Sequence, residues 1–126
     1  MIQKDIVEEG KPVYDLEERT FQFAKRVRIW IKSLSKTTAN MEDTKQLVRA
    51  SGSVGANYIE ANEALSKKDF VYRIRVCRKE AKESAYWIRL ILESNDSGID
   101  EKEGKALFNE AVELKKILSS ILKKSE

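Results

Sequence analysis

The sequence contains no histidine. That removes the side chain most used as a general base near neutral pH and the commonest ligand of transition metals. It also excludes the usual di-iron helical bundle, which needs a Glu-x-x-His pair on two of its helices. Without a histidine, no nucleophile and base can be paired from the spacing of the serines and the one cysteine. An enzyme is therefore a poor reading, and neither metal nor cofactor is expected. Proline occurs once and glycine five times in 126 residues, a scarcity that favours long, uninterrupted helices. The single cysteine, Cys77, cannot form an internal disulfide, which fits a reducing compartment. No run of about 18 apolar residues occurs, and the opening MIQKDIVEEG lacks the apolar stretch of a signal peptide. The expectation is a soluble, cytoplasmic protein with no membrane partner.

What is present is charge. Charged residues make up 36% of the chain and hydrophobic ones 41%, against about a quarter charged in an average globular protein. The length suits one domain with a real core. Net charge is only +3, so its distribution says more than its total. Residues 15–36 carry six basic and three acidic side chains, and 66–93 carry eight and four. By contrast, 40–65 has two basic against four acidic, and 94–126 six against seven. Positive charge is thus gathered on two segments.

Four helices are expected after an N-terminal arm, residues 1–14, in which Gly10 and Pro12 interrupt any helix. Asp15 with Glu18, Asn40 with Asp43, Ser66 with Asp69 and Asp100 with Glu103 each place a capping side chain three residues before an acid. Helix one is expected over about Leu16 to Leu34, with Leu16, Thr20, Phe23, Val27, Ile31 and Leu34 inward. Helix two runs from about Met41 to Leu65, with Leu47, Ser51, Val54, Tyr58, Ala61 and Leu65 inward. Helix three spans Ser66 to Leu92, with Phe70, Ile74, Cys77, Ala81, Ser84, Ile88 and Ile91 inward, so that Cys77 is an inert buried thiol. Helix four runs from Glu101 to about Lys123, with Leu107, Ala111, Leu114, Leu118 and Ile121 inward. Steps alternating between three and four residues fit left-handed bundle packing, and short connections make sequential neighbours antiparallel. The predicted architecture is all-α, an up-down-up-down four-helix bundle over residues 15–126.

Helix two contains Ala50-Ser-Gly-Ser-Val-Gly-Ala56. Glycines inside a helix cost about 1 kcal/mol each relative to alanine, so Gly52 and Gly55 are read as a seam where another backbone comes close. A phosphate-binding glycine loop is the competing reading. It lacks the Gly-Lys-Ser/Thr ending and does not follow a strand. Apolar residues beyond one stripe also need a place: Trp30 beside Ile29 and Ile31, then Val76, Trp87 and Leu90 on helix three. A lone bundle would expose part of these, so they are assigned with Gly52 and Gly55 to an interface in a homo-oligomer; the plainer alternative is a wide stripe packed in a wide monomeric core.

A second stripe on helix three carries Lys68, Tyr72, Arg75, Lys79, Lys82, Tyr86 and Arg89. Like-charged neighbours at i,i+4, such as Arg75 with Lys79, destabilise a helix by about 0.2–0.5 kcal/mol. An anionic partner relieves that repulsion, and interleaved tyrosines suit unstacked bases. Lys25, Arg28 and Lys32 on helix one extend the candidate RNA or DNA surface. The plainer alternative is a solvated face, neutralised by acids such as Glu60 and Glu63. Glu80 and Glu83 share a helical face and are read as partners for Arg49, Arg73 or Lys79 rather than as a cation site.

The run Asp15-Leu-Glu-Glu-Arg-Thr-Phe-Gln-Phe-Ala-Lys-Arg-Val-Arg28 resembles the opening of the four-helix-bundle proteins encoded in intervening sequences of bacterial large-subunit ribosomal RNA genes. So do Gln46-Leu-Val-Arg-Ala-Ser-Gly-Ser-Val-Gly-Ala-Asn-Tyr-Ile-Glu-Ala61, Asp69-Phe70 and Lys79-Glu-Ala-Lys-Glu-Ser-Ala-Tyr-Trp87. The resemblance implies an antiparallel four-helix bundle assembled as a homopentamer, with no catalytic residue to carry over. Through a related branch, the accessory protein of diversity-generating retroelements, it also implies nucleic acid and a reverse transcriptase as partners.

Overall fold

A computed structural model describes residues 15–126; the arm expected over 1–14 lies outside the described residues. Four helices follow in order: α1 Leu16–Trp30, α2 Thr38–Asn62, α3 Lys67–Ser94 and α4 Glu101–Ser125. Consecutive helices pack side by side, and α4 closes back on α1. The ring α1-α2-α3-α4 places α1 diagonally across from α3. Among the described residues there is no strand, and no helix is long and apolar enough to cross a membrane.

Local chemistry sets the helix starts. The Asp15 carboxylate accepts the Glu17 and Glu18 amides at 3.0 and 3.2 Å. Ser66 Oγ accepts the Asp69 amide at 3.1 Å, and Asp100 accepts that of Glu103 at 3.0 Å. The expected cap at Asn40 is corrected. Thr37 caps α2 instead, accepting the Asn40 amide at 3.1 Å, so the helix begins three residues earlier. Asn40 is buried and pairs with Asn95 at the end of α3. Its Nδ2 donates to Asn95 Oδ1 at 2.9 Å, and Asn95 Nδ2 donates back at 3.0 Å.

The core follows the predicted stripes with four departures, one of them Phe70, which is half-buried against the core. After Trp30 the chain tightens into a 3-10 turn, Ile31–Ser33, which buries Leu34 while leaving Ile31 half-buried. Leu65, expected inward, is 97% exposed. Helix α2 ends at Asn62, and the chain must turn before the Ser66 cap, so Leu65 rides the turn outward. On α4, Leu122 is buried where Ile121 was expected, a step of four after Leu118 in place of three.

The glycines of α2 do form a seam, but with α1 of the same chain. A Cβ on Gly55 would lie 2.8 Å from Thr20 Oγ1, and one on Gly52 would lie 3.1 Å from Arg28 Nη2. Their assignment to an interface between copies is corrected accordingly. Trp30 is corrected too: it is 3% exposed, inside the single-chain core. Its indole Nε1 donates to the Asp100 carbonyl at 2.8 Å. The ring lies against Gly104 of α4, where an added Cβ would come within 2.6 Å of it. Val76 and Trp87 are half-buried, Trp87 resting on the core, while Leu90 is exposed. Two bidentate pairs bind α1 to α4. Arg19 grips Glu110 at 2.7 and 2.9 Å, and Arg26 grips Glu103 at 3.0 Å through both nitrogens.

Candidate nucleic-acid interface

Because α3 turns its apolar stripe inward, the opposite stripe must face water. Lys68, Tyr72, Arg75, Lys79, Lys82, Tyr86 and Arg89 are all exposed there. At 1.5 Å per residue, Lys68 to Arg89 spans about 32 Å. Three of the five cations have intramolecular partners. Arg75 Nη2 lies 2.5 Å from Glu126 Oε2, and Arg89 Nε 2.9 Å from Glu93 Oε2. Lys79 Nζ is 3.4 Å from Glu80 Oε2 and 3.8 Å from Glu83 Oε2. The exposed pairs of Arg75 and Arg89 contribute about 0–1 kcal/mol, so a phosphate can displace them, whereas Lys79 also serves the buried Glu80 carboxylate. Among the described residues, Lys68 and Lys82 have no ion pair. The tyrosines are braced by their neighbours. The Arg73 guanidinium sits 5.7 Å from the Tyr72 ring centroid, and Trp87 meets Tyr86 edge-on with centroids 5.0 Å apart.

The cations of α1 do not join this face. Lys25 and Lys32 are exposed, but α1 is diagonal to α3, so their outer faces point to opposite sides of the bundle. Arg28 is turned to a structural task. Its Nη1 donates to the Ala24 carbonyl at 3.0 Å and its Nη2 to the Val48 carbonyl at 3.2 Å, over Gly52. The continuous surface expected across helices one and three is therefore not formed within one chain.

Glu80 was legible as a carboxylate with a cationic neighbour, but not as a buried one. It is 5% exposed, and its Oε1 has no hydrogen-bond partner. Lys79 is its ion partner, whereas Arg49 donates to Gln46 at 2.9 Å and Arg73 to Asn57 at 2.9 Å. Among the described residues, no three His, Cys, Asp or Glu side chains gather as a metal site. Burial holds the Tyr58 hydroxyl well above its usual range; it stands beside Asn62 without completing a hydrogen bond. Burial also pushes the Cys77 thiol up to about 12. A group raised this far stays protonated through neutral pH, and the thiolate is the reactive form. Native protein at pH 8 is expected to leave Cys77 unmodified by Ellman's reagent until denaturant is added; rapid labelling of the folded chain would contradict its burial.

Between α3 and α4 an open groove has Leu92 and Phe108 at its floor. Its charged rim is self-paired through Arg89 with Glu93 and Lys105 with Glu101, the latter at 3.6 Å.

Fold and surface together define a class: an antiparallel four-helix bundle whose longest helix presents a cationic, tyrosine-bearing outer face. Within that class the chain belongs to the 23S rRNA-intervening sequence protein family, whose profile matches residues 14–120. It is also similar to the crystal structure of a protein of unknown function from the S23 ribosomal protein family of Bacteroides thetaiotaomicron. The two are 30% identical with a TM-score of 0.76, covering 86% of this chain and 98% of that one. No curated protein matches the sequence.

Proposed function

We propose that this protein is a non-enzymatic accessory factor that binds RNA or DNA through the outer face of α3, acting as a homo-oligomer. The observation that carries this reading is the exposure of Lys68, Arg75, Lys79, Lys82 and Arg89 on one helical face. Assembly supports it physically. One chain offers a modest patch, and repeating that patch around a closed ring multiplies its phosphate contacts. Phe21 and Ile29, exposed on α1, and Leu90 on α3 are apolar surface that copies of the chain would cover.

Each phosphate neutralised on a single strand lowers log K by about 0.7 per unit of log salt. Affinity for a mixed-sequence oligonucleotide is therefore expected to fall steeply between about 50 and 200 mM salt. The double substitution Lys79→Glu with Lys82→Glu is expected to weaken it by about tenfold or more at low salt. Fluorescence anisotropy measures both. A salt-independent affinity, or an unchanged one in the double variant, would remove α3 as the contact surface.

A second reading has its own observation. Arg75, Lys79 and Arg89 already meet carboxylates of their own chain, as in a surface whose partner is a protein, a reverse transcriptase among the possibilities. That reading predicts no oligonucleotide affinity at any salt concentration.

A further inference from the structure

We infer that the ligand of the α3 face is a single-stranded nucleic acid whose bases stack on Tyr72 and Tyr86, an inference that rests on the nucleic-acid reading above. Three features of the face lead there. First, Tyr72 and Tyr86 are 58% and 60% exposed, each on the same stripe as the cations. Isolated exposed aromatics are ordinary. Two of them, bracketing Arg75, Lys79 and Lys82 on one helix face, form a repeating pattern of ring and charge. Second, both rings are held by neighbours: the Arg73 guanidinium lies over one face of Tyr72, leaving the other for a base, and Tyr86 makes a T-shaped contact with Trp87. A braced ring loses little freedom when a base settles on it. Third, the electrostatic contribution is limited, because Arg75, Lys79 and Arg89 must first release their own carboxylates. Among the described residues, Lys68 and Lys82 are the cations of this stripe with no ion pair to release. A face with so few free cations needs another source of affinity, and stacking supplies one that tolerates any sequence.

The geometry also selects against a duplex. In a double helix the base faces are covered by one another, so a tyrosine standing on a helix surface meets only backbone and groove edges. A single strand can turn its bases outward onto the rings while its phosphates follow the lysines. Tyr72 and Tyr86 are 14 residues apart in the sequence, which along a helix is about 21 Å. At the roughly 3.4 Å per step of a stacked strand that distance corresponds to about six nucleotides, and to fewer for an extended strand. A strand of about ten nucleotides is therefore long enough to engage both rings.

The test uses the full chain with fluorescein-labelled ten-nucleotide RNA and DNA of one sequence, each as single strand and as duplex. Both single strands are expected to bind at least about tenfold more tightly than the duplexes, and to quench Trp87 emission because a base on Tyr86 lies beside it. The double variant Tyr72→Ala with Tyr86→Ala is expected to lose about 25-fold or more in single-strand affinity. The double variant Tyr72→Phe with Tyr86→Phe, which keeps both rings, is expected to stay within about twofold of the parent. Both sites are solvent-facing, and circular dichroism of each variant confirms that the bundle is intact. Duplex binding equal to single-strand binding overturns the inference, as does an alanine variant of unchanged affinity or a phenylalanine variant as weak as the alanine one. If duplex and single strand bind alike but Lys79→Glu with Lys82→Glu abolishes both, stacking fails and the nucleic-acid reading stands. If no oligonucleotide binds, both fall together.

Discussion

Trp30→Ala is expected to destabilise the bundle by about 3–5 kcal/mol, the range for emptying a buried large aromatic site. For a chain of this size that lowers the melting temperature by roughly 10–20 °C. Three losses add up here. The indole leaves a cavity between α1 and α4, where it now lies against Gly104. The Asp100 carbonyl loses the indole N–H that meets it at 2.8 Å. Gly104, whose lack of a side chain exists to admit the ring, becomes a bare glycine within a helix. The same geometry makes Gly104→Ala unfavourable in the parent, since a Cβ there would stand 2.6 Å from Trp30 and 2.5 Å from Leu92. Leu92 can rotate away, whereas the indole is fixed by its hydrogen bond. A surface role for Trp30 would give a different result. An interface tryptophan changes stability through assembly, so the melting temperature of its variant would depend on protein concentration. The core role predicts the same loss at every concentration, read by thermal denaturation over a hundredfold dilution series.

The misreading of Trp30 shows which parts of the fold local sequence can specify. From Leu16 through Val27 the inward positions are forced, because steps of three and four keep one stripe. After Val27 both Trp30 and Ile31 continue it acceptably. What decides between them is Gly104, more than 70 residues away, and no spacing within helix one reports it. Leu65 failed for the converse reason. It extends the stripe of α2 by a legitimate step, but Ser66 caps the next helix, and a chain cannot finish one helix and start another without a turn. The exposed face of α3 was legible because it is the complement of a long, regular core stripe. The pairing of Lys79 with Glu80 and Glu83 was legible as well, but the partner of Arg75 was not, since Glu126 reaches it from the far end of another helix. The separation of the cations of α1 from those of α3 was implicit in the predicted topology itself: in an up-down-up-down ring, the first and third helices occupy opposite corners. The buried state of Glu80 had no sequence signal, because a carboxylate next to Lys79 on a charged helix reads as solvated.

Asn40→Asp tests the other correction, and it separates two accounts that agree on almost everything else. If Asn40 capped α2, aspartate would serve nearly as well, since both residues are favoured at that position. The helix dipole favours the new charge by about 0.3–1 kcal/mol in either account, since Asn40 lies in the first turn of α2. The structure nevertheless predicts a net loss. The Asn40 amide nitrogen donates to the Ser35 carbonyl at 2.8 Å and to Asn95 Oδ1 at 2.9 Å. A carboxylate has no proton for either, and its second oxygen would face two acceptors in a site that is only 4% exposed. Two lost hydrogen bonds and a buried, poorly paired charge amount to about 2–4 kcal/mol of destabilisation at neutral pH. Asn95 can turn its amide to meet one oxygen, but it then gives up the bond to the Ile91 carbonyl at 2.8 Å. The pH dependence follows from the same contacts. Facing carbonyl oxygens and removed from water, the introduced carboxyl has its folded-state pKa raised above the ordinary value of about 3.9. The folded variant then holds a proton that the unfolded chain has released, so stability falls as pH rises from about 4 until the folded-state pKa is passed. Measured against the parent, the deficit is therefore smallest in mild acid, where the protonated group can again donate, and grows toward neutrality. Urea titrations of both proteins between about pH 3.5 and 7.5 read this difference directly. A variant as stable as the parent across that range would return Asn40 to the role of a cap and leave the Asn40–Asn95 pair without energetic weight.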